Sequence, residues 1–88
     1  MRKIYSRVEP VENLSVEYFV AAKEDGGAFG VGICETQNNE KVYEDVVYDI
    51  FSTQADAEEC AVMLANHTVL AVTLRDVLCN YFVEKLLA

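Results

Sequence analysis

The sequence is poor in the residues on which disulfide-rich and metal-binding folds depend. It has three cysteines, one histidine and one proline in 88 residues. Cys34, Cys60 and Cys79 are odd in number and show no CxxC spacing, whereas zinc sites usually pair their ligands about two to four residues apart. We therefore expect free thiols in a reducing, cytoplasmic compartment, with no bound metal and no cofactor.

Long apolar runs and positive charge are also scarce. No segment approaches the roughly 20 apolar residues that span a bilayer, and no signal-peptide core follows the N-terminal basic pair. Seven basic residues stand against 15 acidic ones, which gives a net charge of -8. That charge repels phosphate backbones and anionic lipids, so we expect neither a nucleic-acid partner nor a membrane partner.

The chain does contain enough apolar residues for one core, and we expect a single domain over residues 1–88. Alternation of apolar and polar residues predicts strands at 15–23, 28–37 and 41–51. A turn at Asp25 and Gly26 joins the first two of these strands. Residues 4–9 predict a fourth strand at the sheet edge, where Pro10 can lack its amide donor. The sheet is predicted to be an antiparallel meander.

After Ser52 the hydrophobic period lengthens to that of a helix. Thr53 and Asp56 predict a helix start, with the helix running to about Asn66. Thr73 and Asp76 repeat this signature before a second helix over residues 74–88. The predicted inner residues are Ala57, Cys60, Ala61 and Leu64 of the first helix and Leu74, Val77, Leu78, Tyr81, Phe82 and Leu86 of the second. Strands first and helices last predict an α+β fold, with both helices packed on one face of the sheet.

The two sheet faces are predicted to differ in function. The face under the helices is predicted to contain Tyr18, Val20, Phe29, Val31, Ile33, Val46, Tyr48 and Ile50. The opposite face is predicted to be more apolar than a solvated surface should be. Our hypothetical interface on this face is Phe19, Gly30, Gly32, Tyr43, Val47 and Phe51. The two glycines leave a bare strip, over which Phe19 or Tyr43 can lie.

Cys60 and His67 lie two helical turns apart and raise the question of a thiol or metal site. The apolar stripe around Cys60 favours packing instead, and His67 is placed to end the helix. An enzyme or thiol sensor that uses Cys34 or Cys79 with His67 stays open as an alternative.

Four segments, YFVAAK, FGVGICE, IFST and VTLRDVL, resemble a family of short, uncharacterised bacterial proteins found mainly in anaerobic Gram-positive organisms. This family is a domain of unknown function, and the resemblance covers most of the chain. It implies no activity, catalytic residue or cofactor.

These patterns favour a non-enzymatic protein-interaction module that self-associates, for example as a homodimer. Small size supports this hypothesis, because a thin core leaves little room for a deep pocket. A second hypothesis is an acidic inhibitor that imitates nucleic acid and binds a basic protein.

Overall fold

The computed structural model describes residues 2–24 and 26–87 and shows a four-stranded antiparallel sheet followed by two α-helices. The strands are β1 (Arg2–Val11), β2 (Leu14–Ala22), β3 (Phe29–Gln37) and β4 (Glu40–Phe51). A 3₁₀ turn, Ala71–Thr73, separates helix α1 (Gln54–Asn66) from helix α2 (Leu74–Leu87). The predicted α+β class and the fourth strand are both confirmed.

The strands lie side by side in chain order, because each is joined to the next by a short connection. Asn38 and Asn39 both have positive φ, 54° and 67°, which suits the two-residue turn of a β-hairpin. Gly26 also has positive φ in the connection before β3, while Asp25, its predicted turn partner, lies outside the described residues. Strand β1 is an edge strand, as Pro10 predicted.

The main core lies between the sheet and α1. Thr53 begins this helix as predicted, because its Oγ1 accepts a hydrogen bond from the Asp56 amide at 3.2 Å. The predicted inner residues of α1 are all buried against the central strands. The buried residues of this core are Val16, Tyr18 and Val20 of β2, Val31 and Ile33 of β3, Phe51 of β4, Ala57, Cys60, Ala61, Leu64 and Ala65 of α1, Ala71 of the 3₁₀ turn, and Leu74 and Leu78 of α2. Each large apolar side chain buried here contributes about 1.5–3 kcal/mol to folding.

The middle of strand β4 turns its side chains the opposite way from the prediction. Val47 and Phe51 pack in the core under the helices, whereas Val46 packs against the other face. The cause is a β-bulge: Thr36 pairs with Lys41 but Glu35 pairs with Tyr43, which leaves one residue of β4 without a partner. This extra residue reverses the side-chain parity of the stretch that follows it. A second register shift, between Val47 and Phe51, ends that stretch, and Ile50 packs against the core as predicted. The predicted placement of Val46 and Tyr48 under the helices is therefore wrong.

Helix α2 begins at the predicted residue, but Thr73 does not cap it as predicted. Thr73 lies in the 3₁₀ turn, and its hydroxyl donates to the Leu70 carbonyl at 3.1 Å. The inner side of α2 is confirmed for buried Leu74 and Leu78, and Val77, Tyr81 and Phe82 are half-buried against the core. Leu86 is 84% exposed, so its predicted place in the core is wrong.

Candidate functional site

The face of the sheet opposite the helices, here called the reverse face, buries its own aromatic ring. Phe19 is 0% exposed, and its ring lies against Gly32, where any Cβ would overlap it. Lys3 lies over the ring, with its Nζ 4.4 Å from the ring centre, and forms a 2.6 Å salt bridge with Glu17. The predicted aromatic over the glycine strip is thus Phe19, and its own neighbours cover it.

The six residues of the hypothetical interface do not form one surface. Phe19, Gly30 and Gly32 belong to the reverse face and are buried there. Val47 and Phe51 lie under the helices because of the register of β4 described above. Tyr43, at 49% exposure, is the one member of the set that is exposed. As residues for contact with another molecule, the other five are poorly placed.

Two of the three thiols, those of Cys34 and Cys60, are buried. Burial raises the pKa of Cys60 to about 12, and burial together with the Glu44 carboxylate raises the pKa of Cys34. Both shifts disfavour the thiolate, which is the nucleophilic form of cysteine. Cys60 faces the core, whereas His67 is the exposed C-cap residue of α1.

Within residues 2–24 and 26–87, no group of three or more His, Cys, Asp or Glu side chains is placed to hold a metal ion. The three thiols are free. In the same part of the chain, no helix combines the length and apolar character needed to cross a membrane.

A buried carboxylate, which the strand pattern did not single out, ties the 3₁₀ turn to the sheet. Glu35 Oε2 accepts a hydrogen bond from the Ala71 amide at 2.6 Å, and the side chain is buried. The nearby Tyr18 hydroxyl is also buried, and no hydrogen-bond partner is found for it among the described residues. Burial, followed by the charges of Glu35 and Glu9, raises the pKa of Tyr18. The hydrogen bond from Ala71 to Glu35 positions the start of α2, because the turn leads directly into the helix.

Helix α2 exposes apolar side chains on the side that faces away from the core. Val72 in the 3₁₀ turn is 73% exposed, Val83 is 49% exposed, and Leu86 is the most exposed of the group. Cys79 is exposed on the same side. We call Val72, Cys79, Val83 and Leu86 the outer stripe. Cys79, Val83 and Leu86 recur at intervals of four and three within α2, which places them along one line of the helix surface, and Val72 lies in the 3₁₀ turn just before the helix.

A groove of about 330 Å³ lies between the C-terminal end of α1 and the middle of α2. Its apolar lining comes from Met63, Val69, Val77 and Tyr81. Its polar lining comes from His67, Asn80 and Glu84. A smaller hollow of about 210 Å³ lies beside Phe51, Phe82 and Lys85. Both hollows are at or below the lower end of the range, about 300–1,000 Å³, that is usual for small-molecule sites.

A family model, described as a family of unknown function (DUF6514), matches residues 2–84. The chain belongs to this family. The DUF6514 match covers all four strands, α1 and most of α2, so it describes the whole fold and not one motif. No curated protein and no solved structure matches the chain.

Two features of this DUF6514 member have a weak signal in its sequence. Glu35 follows Val31 and Ile33 at the spacing of two residues that marks the core face of β3. Val72, Cys79 and Leu86 stand seven residues apart, which is a helical repeat on the side opposite the inner residues. Both signals are weaker than the apolar patterns that surround them.

Proposed function

We propose that this protein is a non-enzymatic protein-interaction module that associates with itself through the outer stripe of α2. The observation that supports this proposal is the presence of apolar side chains on two sides of one helix. Leu74 and Leu78 are buried on the inner side, while Val83 and Leu86 are exposed on the other. A surface helix normally buries one apolar stripe and presents polar residues elsewhere. Burial of the second stripe requires another molecule.

The spacing of the outer stripe suits a second copy of the same chain. Val72 and Leu86 are each seven residues from Cys79. An antiparallel pair of helices with its two-fold axis near Cys79 places Val72 of one copy against Leu86 of the other. Such an isologous contact is closed, and a closed two-fold pair is the commonest kind of homo-oligomer.

Two further observations support the non-enzymatic part of the proposal and a cytoplasmic location. The buried thiols have raised pKa values, and the hollows are small for a substrate site. The three free cysteines fit a reducing compartment, where thiols are kept unpaired.

The proposal is tested by comparing the oligomeric state of the native chain with that of the variants Val83→Glu and Leu86→Glu in sedimentation velocity. We expect the native chain to form a dimer and both variants to be monomers, because a carboxylate in an apolar contact loses its hydration. Added salt should strengthen the native dimer, since each copy carries a net charge of -8.

Val8→Glu is the matched control, because Val8 is an exposed valine of β1 and does not belong to the outer stripe. It adds the same charge and should leave the dimer intact. A native chain that stays monomeric at millimolar concentration would overturn the proposal. Equal loss of the dimer in the Val8 and Val83 variants would overturn the choice of surface.

A further inference from the structure

The groove between α1 and α2 has an apolar floor of adaptable shape. Met63 is half-buried at its base, and Val77 and Tyr81 are half-buried along its α2 side. Methionine is unbranched and flexible, so it adjusts to the side chain placed against it. The groove is open on one side, which suits an inserted apolar side chain better than a fully enclosed small molecule.

One rim of the groove is acidic. Asp76, Asn80 and Glu84 follow one another at four-residue intervals along α2, so their side chains lie in one row. Asn80 and Glu84 line the groove itself, and Asp76 stands one turn before them. Among the described residues, neither Asp76 nor Glu84 forms a salt bridge, whereas the exposed Glu59 of α1 pairs with Lys85 at 2.9 Å. This rim therefore presents unneutralised negative charge beside apolar surface.

The helices of a second copy of this chain do not supply the matching positive charge. Helix α1 contains Asp56, Glu58 and Glu59 and no basic residue. The two basic residues of α2 are already engaged: Arg75 forms a salt bridge with Asp45 at 2.9 Å, and Lys85 pairs with Glu59. The occupant that fits the rim is thus a different, basic protein segment.

We propose that the groove between α1 and α2 binds a basic amphipathic helix of a partner protein. An apolar side chain of leucine or phenylalanine size enters the space above Met63, Val77 and Tyr81. Lysine or arginine side chains beside it on the bound helix pair with Asp76 and Glu84. Recognition of this kind is the known helix-in-groove mode, in which apolar anchors recur at helical spacing. It uses a different side of α2 from the outer stripe and does not depend on self-association.

The experiment measures binding of a fluorescently labelled peptide of leucine and lysine, designed as an amphipathic helix, by fluorescence anisotropy at physiological salt. The double variant Asp76→Lys/Glu84→Lys should weaken binding by about tenfold or more, because each substitution replaces attraction with repulsion at the contact. The matched control is Glu24→Lys/Glu40→Lys, which changes the net charge equally at two exposed acids outside the groove. It should weaken binding by only about twofold, through the long-range field.

A second pair of variants tests the apolar floor. Met63→Gln should weaken binding of the same peptide by about fivefold, because it places a polar amide under the anchor side chain. Val8→Gln, on exposed strand β1 and outside both the groove and the outer stripe, should leave peptide affinity unchanged. Thermal unfolding of each variant shows whether it is folded, and amide chemical shifts of the native chain should move at residues 63, 69, 77 and 81.

Equal weakening in the two charge variants would show attraction by overall charge alone and overturn the proposal. Chemical-shift changes confined to another surface would also overturn the proposal. This measurement uses the native chain, so it remains decisive even if some of the variants fail to fold. Either result leaves the test of self-association unaffected, since that test measures the mass of the protein without peptide.

Discussion

Gly32 determines how the reverse face is packed, because its missing side chain is the space that the Phe19 ring fills. The pairing of Phe19 with Gly32 across β2 and β3 brings the ring directly over the glycine. Gly30 has a related role toward β4, because a Cβ there would overlap the Val47 carbonyl oxygen. The spacing of the two glycines made the bare strip predictable from the sequence. Which aromatic ring covers it depends on strand register, and the sequence left two choices.

Gly32→Ala is expected to destabilise the fold by about 1–3 kcal/mol, because the added methyl group overlaps a fully packed ring. Urea unfolding followed by circular dichroism measures the loss. Phe19→Leu in the same chain should recover part of it, since a smaller side chain makes room for the methyl group. Strict additivity of the two substitutions would contradict the contact, because residues that touch are coupled.

At the scale of the secondary-structure elements, two identical capping patterns occur in different local structures. Thr53 and Thr73 each precede an aspartate by three residues, but the 3₁₀ turn occupies the second site. The Glu35 carboxylate binds that turn from the sheet, and a contact between residues so far apart in sequence has no local signature. The bulge in β4 also has no local signature in the sequence. Both parities of that strand carry apolar residues, so alternation alone did not fix its buried side.

Thr53→Ala is expected to destabilise the protein by about 1 kcal/mol, because the Asp56 amide at the start of α1 loses its acceptor. Thr73→Ala should cost less, since its hydroxyl donates to Leu70 and does not cap a helix. Chemical denaturation of the two variants under the same conditions compares them. A larger loss for Thr73 than for Thr53 would contradict this account of the two sites.

For the whole molecule, the order of strands and helices was predictable because each element has its own hydrophobic period. The helix-covered face followed from the same patterns for β2 and β3, whose inner residues are buried as predicted. The two proposed binding surfaces were not predictable in the same way. They consist of side chains of α2 that do not pack in the core. They can be identified only when it is known which side of the helix is buried.

Alkaline conditions are expected to destabilise the fold. The pKa values of Tyr18, Cys34 and Cys60 are all raised in the folded chain, chiefly by burial. Above pH 9 these groups lose protons in the unfolded chain first, so the folded chain holds more protons and stability falls as pH rises. Each group contributes a slope of at most about 1.4 kcal/mol per pH unit between its two pKa values.

Unfolding free energies between pH 8 and pH 11 measure this slope. Cys60→Ala should be less stable throughout, because it leaves a small cavity, but its stability should fall less steeply between pH 9 and pH 11. An unchanged slope in that variant would show that the Cys60 thiol does not contribute to the alkaline loss.

Helix α2 has its outer stripe and its acidic row on neighbouring sides. A basic helix bound beside that row would reduce the electrostatic repulsion between two copies of the chain, each of which carries a net charge of -8. Binding of the partner helix and dimerisation would then be positively coupled. By thermodynamic reciprocity, each would increase the affinity of the other by the same factor.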